Sequence, residues 1–289
     1  MRKRADGVRI KGMDPILTAM PHFMIHRYDA MNMITLDIPL EPIRKYINER
    51  RFSNPTTHLA VIIAAIVRTI SQYPELNRFV VNRKYYARNE LTVSMVVLKK
   101  DGKLTEAMNK MYFEPDDTID EVSEKINKYI EENEKVESEN ETDKVLNILG
   151  KIPGLFSNGI RVFRWADRHG LLPKSIIDAS PFHATVLITN LSSIRTRHIY
   201  HHVYDFGTTG LGMAMGTYRY QTEVKKGETV TYKTIPLGLT MDERIASGAY
   251  FALAFQEFVK YCKNPKLLEQ KPEKIVPDPN IKVKKKKAK

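Results

Sequence analysis

The longest apolar stretch of the chain, "TTHLAVIIAAIVRTISQY" at 56–73, has apolar residues on nearly every face of a 3.6-residue helix, which predicts a buried helix rather than an amphipathic surface one. Asn54 and Pro55 read as its N-cap and first helical residue, and Pro74 stops it. After it the pattern shifts to strands. "RFVVNRKYYAR" and "LTVSMVVLKKDGKLTEAM" read as hairpins, the second turning at Asp101 and Gly102. Thr118 and Glu121 form a capping box ahead of Ile119, Val122, Ile126 and Ile130, an amphipathic helical spacing, and "ESENETDK" follows as a polar loop. "HATVLITNL" is apolar enough for a central strand, "YRYQTEVKKGETVTYKTIPL" is a hairpin, and 246–262 a helix carrying Tyr250, Phe251, Ala254, Phe258 and Tyr261 on overlapping apolar faces. The expected class is α/β, in an α+β two-layer form: a mixed sheet packed with helices, with parallel and antiparallel strand pairs both expected.

Composition narrows the picture. At 289 residues and 42% apolar the chain can bury a large core, and the expected organisation is one domain over 20–270 between a basic N-terminal extension, 1–19, and a Pro/Lys-rich disordered tail, 271–289. Cys262 is the single cysteine, which rules out an intramolecular disulfide and a cysteine-based zinc site. No run approaches the roughly 18 apolar residues of a membrane span, so a cytoplasmic protein is expected. The net charge of +12 is unevenly placed, because Lys282, Lys284, Lys285, Lys286, Lys287 and Lys289 supply six of it. That run reads first as a solvated end and second as a weak contact for anionic lipid or RNA. No RNA- or DNA-binding motif supports a dedicated nucleic-acid function.

Three segments together carry a family resemblance: "ISQYPELNRFV", "ATVLITNLSSI" and "MDERIASGAYFALAFQEFVKYCKNPKLLE". In this order they resemble the catalytic domain of the chloramphenicol acetyltransferase-like superfamily, which includes the dihydrolipoyl acyltransferase cores of 2-oxoacid dehydrogenase complexes. The likeness spans about 20–270. It implies a mixed sheet with helices on it, a homotrimer, and an active site in a channel between two subunits, entered by coenzyme A from one end and by the acyl acceptor from the other. It implies no metal.

The motif H-x-x-x-D-G of that family aligns here with Glu243, Arg244, Ile245, Ala246, Ser247 and Gly248. Both signature side chains are replaced. In the family the histidine is the general base towards the acceptor thiol or hydroxyl. Histidine suits that task because its reference pKa of about 6.5 lies about 2 units below that of a thiol, whereas a carboxylate near 4.3 lies about 4 units below. The difference costs about 3 kcal/mol of driving force, roughly a hundredfold in rate, unless burial raises the carboxylate. The family's aspartate anchors the loop by pairing with an arginine near the domain start. Arg27 in "MIHRYDAMN" matches that arginine, and Ser247 cannot neutralise it; Asp242 or Glu243 can. Glu243 therefore has two readings, structural anchor or base, and the anchor is the favoured one. Thr189 matches the hydroxyl that stabilises the oxyanion, against the simpler reading of a threonine favoured by a strand.

Two lookalikes carry less. "HHVYDFG", His201 to Gly207, is one residue short of the motif and runs into glycines instead of a helix, and with His198 and Asp205 it is a weak metal candidate. Gly210, Gly212 and Gly216 mimic a nucleotide loop, but the residues after them alternate like a strand, so they read as close-packing or bulge glycines. The function classes are then an acyltransferase using Glu243, a catalytically inactive trimeric binding or scaffold protein of the same fold, and, third, a basic adaptor. A short N-terminal extension and the lack of an Ala/Pro-rich linker give no room for a lipoyl domain, so an ordinary dehydrogenase-complex core is not expected.

Overall fold

The computed structural model describes residues 4–100, 105–134 and 155–281. In chain order the elements are β1 (Gly7–Arg9), α1 (Pro15–Phe23), β2 (Met31–Pro39), α2 (Leu40–Glu49), α3 (His58–Gln72), β3 (Arg78–Val81), β4 (Lys84–Arg88), β5 (Leu91–Leu98) and β6 (Glu106–Phe113). They continue with α4 (Ile119–Glu134), α5 (Leu155–Arg168), α6 (Lys174–Ala179), β7 (Val186–Asn190), β8 (Leu211–Met215), β9 (Arg219–Lys225), β10 (Glu228–Asp242) and α7 (Gly248–Lys263).

Helix α3 is the spine, with every residue from Leu59 to Ser71 buried. It begins three residues later than the sequence suggests. The Asn54 backbone closes the turn after α2 by donating to the Arg50 carbonyl and its side-chain amide turns to Asp120 Oδ2, so the cap falls to Thr57, whose Oγ1 accepts from the Ala60 N–H at 3.1 Å. The capping box at Thr118 and Glu121 forms as expected, with the Thr118 N–H donating to Glu121 Oε2 at 2.7 Å and the Glu121 N–H to Thr118 Oγ1 at 3.4 Å.

The main sheet is mixed, with the order β2-β10-β8-β7-β5-β6 and β9 added on β10. The β5–β7 and β7–β8 pairs are parallel and the others antiparallel, which makes β7 the central strand its sequence implied. Ile188, Met213 and Leu239 lie in one row across β7, β8 and β10 and join the core with α3 and α7. Alternation along each strand then puts Thr189, Ala214 and Gly238 on the opposite face. The β3–β4 hairpin turns on Asn82 and Arg83, both left-handed at φ 49° and 57°, and β9–β10 on Lys226 and Gly227. The expected turn at Asp101–Gly102 and the "ESENETDK" loop lie outside the described residues.

The described parts of both flanking segments pack on the body. Near the N-terminus, Arg4 is buried, bonded to Asp6 and Asp167 and seated over the Phe79 and Tyr86 rings, and β1 pairs with β4. Near the other end, the Val276 N–H donates to the Ser71 carbonyl, and buried Asp278 takes both Nε and Nη2 of buried Arg78 at 2.6 and 2.9 Å. Residues 271–281 are thus an ordered strap, in contrast to the disordered tail expected there, because the strap supplies the carboxylate that a buried arginine needs. The lysine run after Ile281 lies outside the described residues. No helix among the described residues is long and apolar enough to cross a membrane.

Asp278→Ala leaves Arg78 with Glu75 alone as its charged partner, so a loss of about 3 kcal/mol in urea unfolding is expected. Deleting 282–289 leaves the midpoint unchanged. A truncation after Ile281 with the same loss would place the anchorage in the lysine run instead.

Candidate active site

Strand β10 delivers the acidic pair to the end of the sheet. Asp242 is its last residue, opposite Met31 of β2, and the Glu243 N–H extends the ladder by donating to the Ala30 carbonyl at 2.9 Å. The chain then turns, the Ile245 N–H donating to the Asp242 carbonyl, and enters α7 with Ser247 as N-cap, its Oγ accepting from the Tyr250 N–H at 3.2 Å. Ser247 is exposed and caps a helix. It makes no hydrogen bond to Arg27.

The arginine's partner is Asp242. This carboxylate is 1% exposed and sits between two buried guanidiniums. Arg244 holds it in a fork, Nε to Oδ1 at 2.8 Å and Nη2 to Oδ2 at 2.7 Å, and Arg27 Nε approaches Oδ2 at 3.4 Å. The Nη1 groups end on carbonyls: Arg27 Nη1 on Tyr204 and Gly207, Arg244 Nη1 on Met24 and Ile25. Burial pushes the Arg27 pKa down against the pull of Asp242, with the Arg244 charge adding to the depression; burial also opposes the charge on Arg244, but its forked bond to Asp242 leaves its pKa raised. Of the two anchors the sequence offered, Asp242 is the one used. Arg244, two residues on, was the missed partner, and its signal was present in "DER".

Glu243 is released by this arrangement. Its half-buried carboxylate has no hydrogen bond or ion pair among the described residues. It stands at the head of a groove of about 500 Å³ between β2 and α7, walled by Ile34, Leu36, Phe251 and Phe255, with Lys263 at the far end.

Thr189 occupies a different place. It pairs with Ala214, and Ala214 with Gly238, so two strand spacings and five residues of β10 separate it from Glu243, roughly 19 Å within one chain. Its Oγ1 is buried without a hydrogen-bond partner. Thr240 Oγ1 and His201 Nε2 are orphaned in the same way, and Thr240, two residues from Gly238, shares the Thr189 face. The segment at 196–204 crosses this face: Thr35 Oγ1 bonds His198 Nε2 and the Tyr200 hydroxyl, the Ile199 carbonyl lies 2.1 Å from where a Gly238 Cβ would be, and His201 rests over Gly212. At Gly216 a Cβ would meet the His198 nitrogen at 2.3 Å, so that glycine serves close packing.

The HHVYDFG stretch leads to no helix. Asp205 accepts from the Arg27 N–H and Arg164 Nη2, with His26 Nδ1 at 3.4 Å. Among the described residues no group of histidine, cysteine or acidic side chains is arranged to hold a metal. Beside the end of β7 a second cleft, about 710 Å³, is lined by Arg44, Lys233, His58, Tyr218 and Asn190, whose Oδ1 is also orphaned. Burial and Arg44 hold the His58 pKa below the usual histidine range.

No protein-family profile matches the chain, and no curated protein does either. Solved structures do. A probable dihydrolipoamide acetyltransferase from Listeria monocytogenes superposes with a TM-score of 0.56 at 11% identity, covering 89% of this chain and 95% of that one. The cubic core of a pyruvate dehydrogenase multienzyme complex gives 0.56 at 10%, covering 89% and 93%, and a chloramphenicol acetyltransferase 0.50 at 10%, covering 83% and 92%. The fold is chloramphenicol acetyltransferase-like. At these identities the likeness establishes the architecture that the three sequence segments implied, and the chemistry rests on the residues above.

Asp242→Asn leaves two buried guanidiniums without a countercharge and is expected to cost about 3–5 kcal/mol in urea unfolding, whereas Ser247→Ala costs about 1 kcal/mol, the loss of a helix cap. A loss for Asp242→Asn no larger than that for Ser247→Ala would mean that Asp242 does not anchor the two arginines.

Proposed function

We propose that the protein is a coenzyme A-dependent acyltransferase whose base is Glu243 and whose oxyanion donor is Thr189 of a neighbouring protomer in a homotrimer. The observation that carries this reading is the ownership of Asp242: both arginines are satisfied by it, and the Glu243 carboxylate is left at the head of a groove with nothing to hold. A carboxylate without a hydrogen-bond or ion-pair partner, beside an apolar wall, is placed to accept a proton. Thr189 has an orphaned hydroxyl to donate. The roughly 19 Å between them in one chain supports a site completed across a subunit boundary. In that site Glu243 takes the proton from the acceptor thiol or hydroxyl, whose sulfur or oxygen attacks the thioester carbonyl. The tetrahedral oxyanion accepts the Thr189 hydroxyl bond. Collapse breaks the carbon–sulfur bond to coenzyme A, and the thiolate regains the proton from Glu243. The 710 Å³ cleft fits the coenzyme A end of the reaction, since Arg44 and Lys233 suit its phosphates and Tyr218 offers a ring for its adenine. The groove at Glu243 fits a small-molecule acceptor with an apolar portion.

Light scattering is expected to report about 100 kDa, three times 33.3 kDa. A monomer at micromolar concentration rejects the shared site. The Glu243→Gln and Thr189→Val proteins are each expected to lose roughly a hundredfold of acetyl-coenzyme A turnover without loss of melting temperature. When the two are unfolded, mixed in equal amounts and refolded, roughly three quarters of the trimers are mixed, and each holds one intact site in three, so about a quarter of wild-type turnover returns. No recovery on mixing places both residues in one protomer's site. Equal turnover of the wild type and the Gln variant excludes Glu243 as the base, and absent wild-type turnover, with coenzyme A binding retained in calorimetry, identifies a non-catalytic binding protein instead.

A further inference from the structure

The chain's single tryptophan is on the outside of α5. Successive helical residues turn by about 100°, so Val162 and Trp165, three apart, share a face, and they are 63% and 56% exposed. The helix is fastened on its other side, where Asp167 is buried against Arg4 and His183. Arg161, Arg164 and Arg168 border the exposed apolar pair, and Asp167 is the helix's only acid. This is an amphipathic helix with an arginine face and an apolar edge pointing into water.

A second piece of apolar surface stands beside it. At the end of α1 and just past it, Phe23 and Ile25 are 78% and 54% exposed. Ile25 and Arg168 line the same cleft of about 350 Å³, with Arg83 on its rim. Asp205 ties the two parts together, bonded to Arg164 Nη2 at 2.9 Å and facing His26 Nδ1 at 3.4 Å. The cleft's acids, Asp167 and Asp205, each have an arginine partner, so Arg83, Arg161 and Arg168 outnumber the exposed Asp29, whose carboxylate accepts from the His26 N–H.

We propose that this surface docks on an anionic lipid bilayer, with Phe23, Ile25, Val162 and Trp165 entering the headgroup–acyl boundary and Arg83, Arg161 and Arg168 meeting lipid phosphates. Tryptophan is favoured at that boundary, an arginine-rich amphipathic helix binds it by apolar burial plus attraction to anionic lipid, and guanidinium pairs with phosphate in two-point geometry. Nucleic acid uses the arginines but has no use for the aliphatic side chains, since bases stack on aromatic rings. A two-fold copy of the chain would set the same arginines against each other, and in a three-fold assembly, where this patch would meet a different face, the Trp165 emission would be shielded before any vesicle is added. The proposal is independent of the acyl-transfer reading.

Because Trp165 is the only tryptophan, its fluorescence in the full-length protein reports on this surface and is blind to the C-terminal lysines. Addition of phosphatidylcholine vesicles containing a quarter phosphatidylserine is expected to shift its emission to the blue and shield it from acrylamide, and pure phosphatidylcholine to do neither. Arg161→Gln with Arg168→Gln should weaken partitioning roughly tenfold or more, and Phe23→Ser with Val162→Ser by a similar factor, with melting temperatures unchanged because all four side chains are exposed. Co-sedimentation with unchanged emission overturns the proposal in favour of the lysine run. Emission already blue and shielded without vesicles overturns it in favour of a second copy, and a change produced by single-stranded RNA but not by vesicles in favour of nucleic acid.

Discussion

One carboxylate organises the functional end of the molecule. Asp242 lies at the close of β10, buried between Arg27 and Arg244, and the Nη1 groups of those two guanidiniums donate to the carbonyls of Met24, Ile25, Tyr204 and Gly207. Three chain segments distant in sequence therefore converge on a single negative charge: the stretch after α1, the end of the 196–207 crossing and the turn into α7. Two buried cations require at least one buried anion, and each carbonyl they satisfy is one that the turns leave without a ladder partner. The position of Glu243 follows from this constraint, since the residue next to a fixed strand terminus projects to the opposite side of the strand.

Most of the fold was legible because its elements announce themselves by period and by turn chemistry. The all-round apolar α3, the capping box at Thr118 and the Asn82–Arg83 hairpin are local devices, readable from a few adjacent residues. The start of α3 was less legible, because Asn54 and Pro55 make a plausible cap that loses to Thr57 only when α2 and Asp120 claim Asn54. The segments at the chain ends were read from charge and proline content, which conceal a long-range partner: nothing near Asp278 in sequence points to Arg78, 200 residues away.

The candidate site was legible in its residue types and not in its geometry. Arg27 and the acidic pair were visible, but which acid meets the arginine depends on the face each side chain takes at the strand end. The fork from Arg244 needs the backbone to turn at Asp242, as it does. Thr189 was singled out by the family resemblance, against the simpler reading of a strand threonine; that its hydroxyl is an orphan on the sheet face away from the helices is a property of register, shared with Thr240 and visible only when β7, β8 and β10 are aligned.

The closure of both described ends by ion pairs changes how the molecule opens. In most domains fraying begins at the termini, where backbone bonds exchange with water at almost no free-energy cost. Here a terminal excursion must first strip Arg4 of Asp6 and Asp167, or Arg78 of Asp278, exposing to solvent a cation–ring stack or a carboxylate that the core has dried. The two described end segments accordingly belong to the cooperative unit, and amide protons of β1 and of Val276 are expected to exchange with the slow class of the sheet and α3 instead of the fast class of the surface.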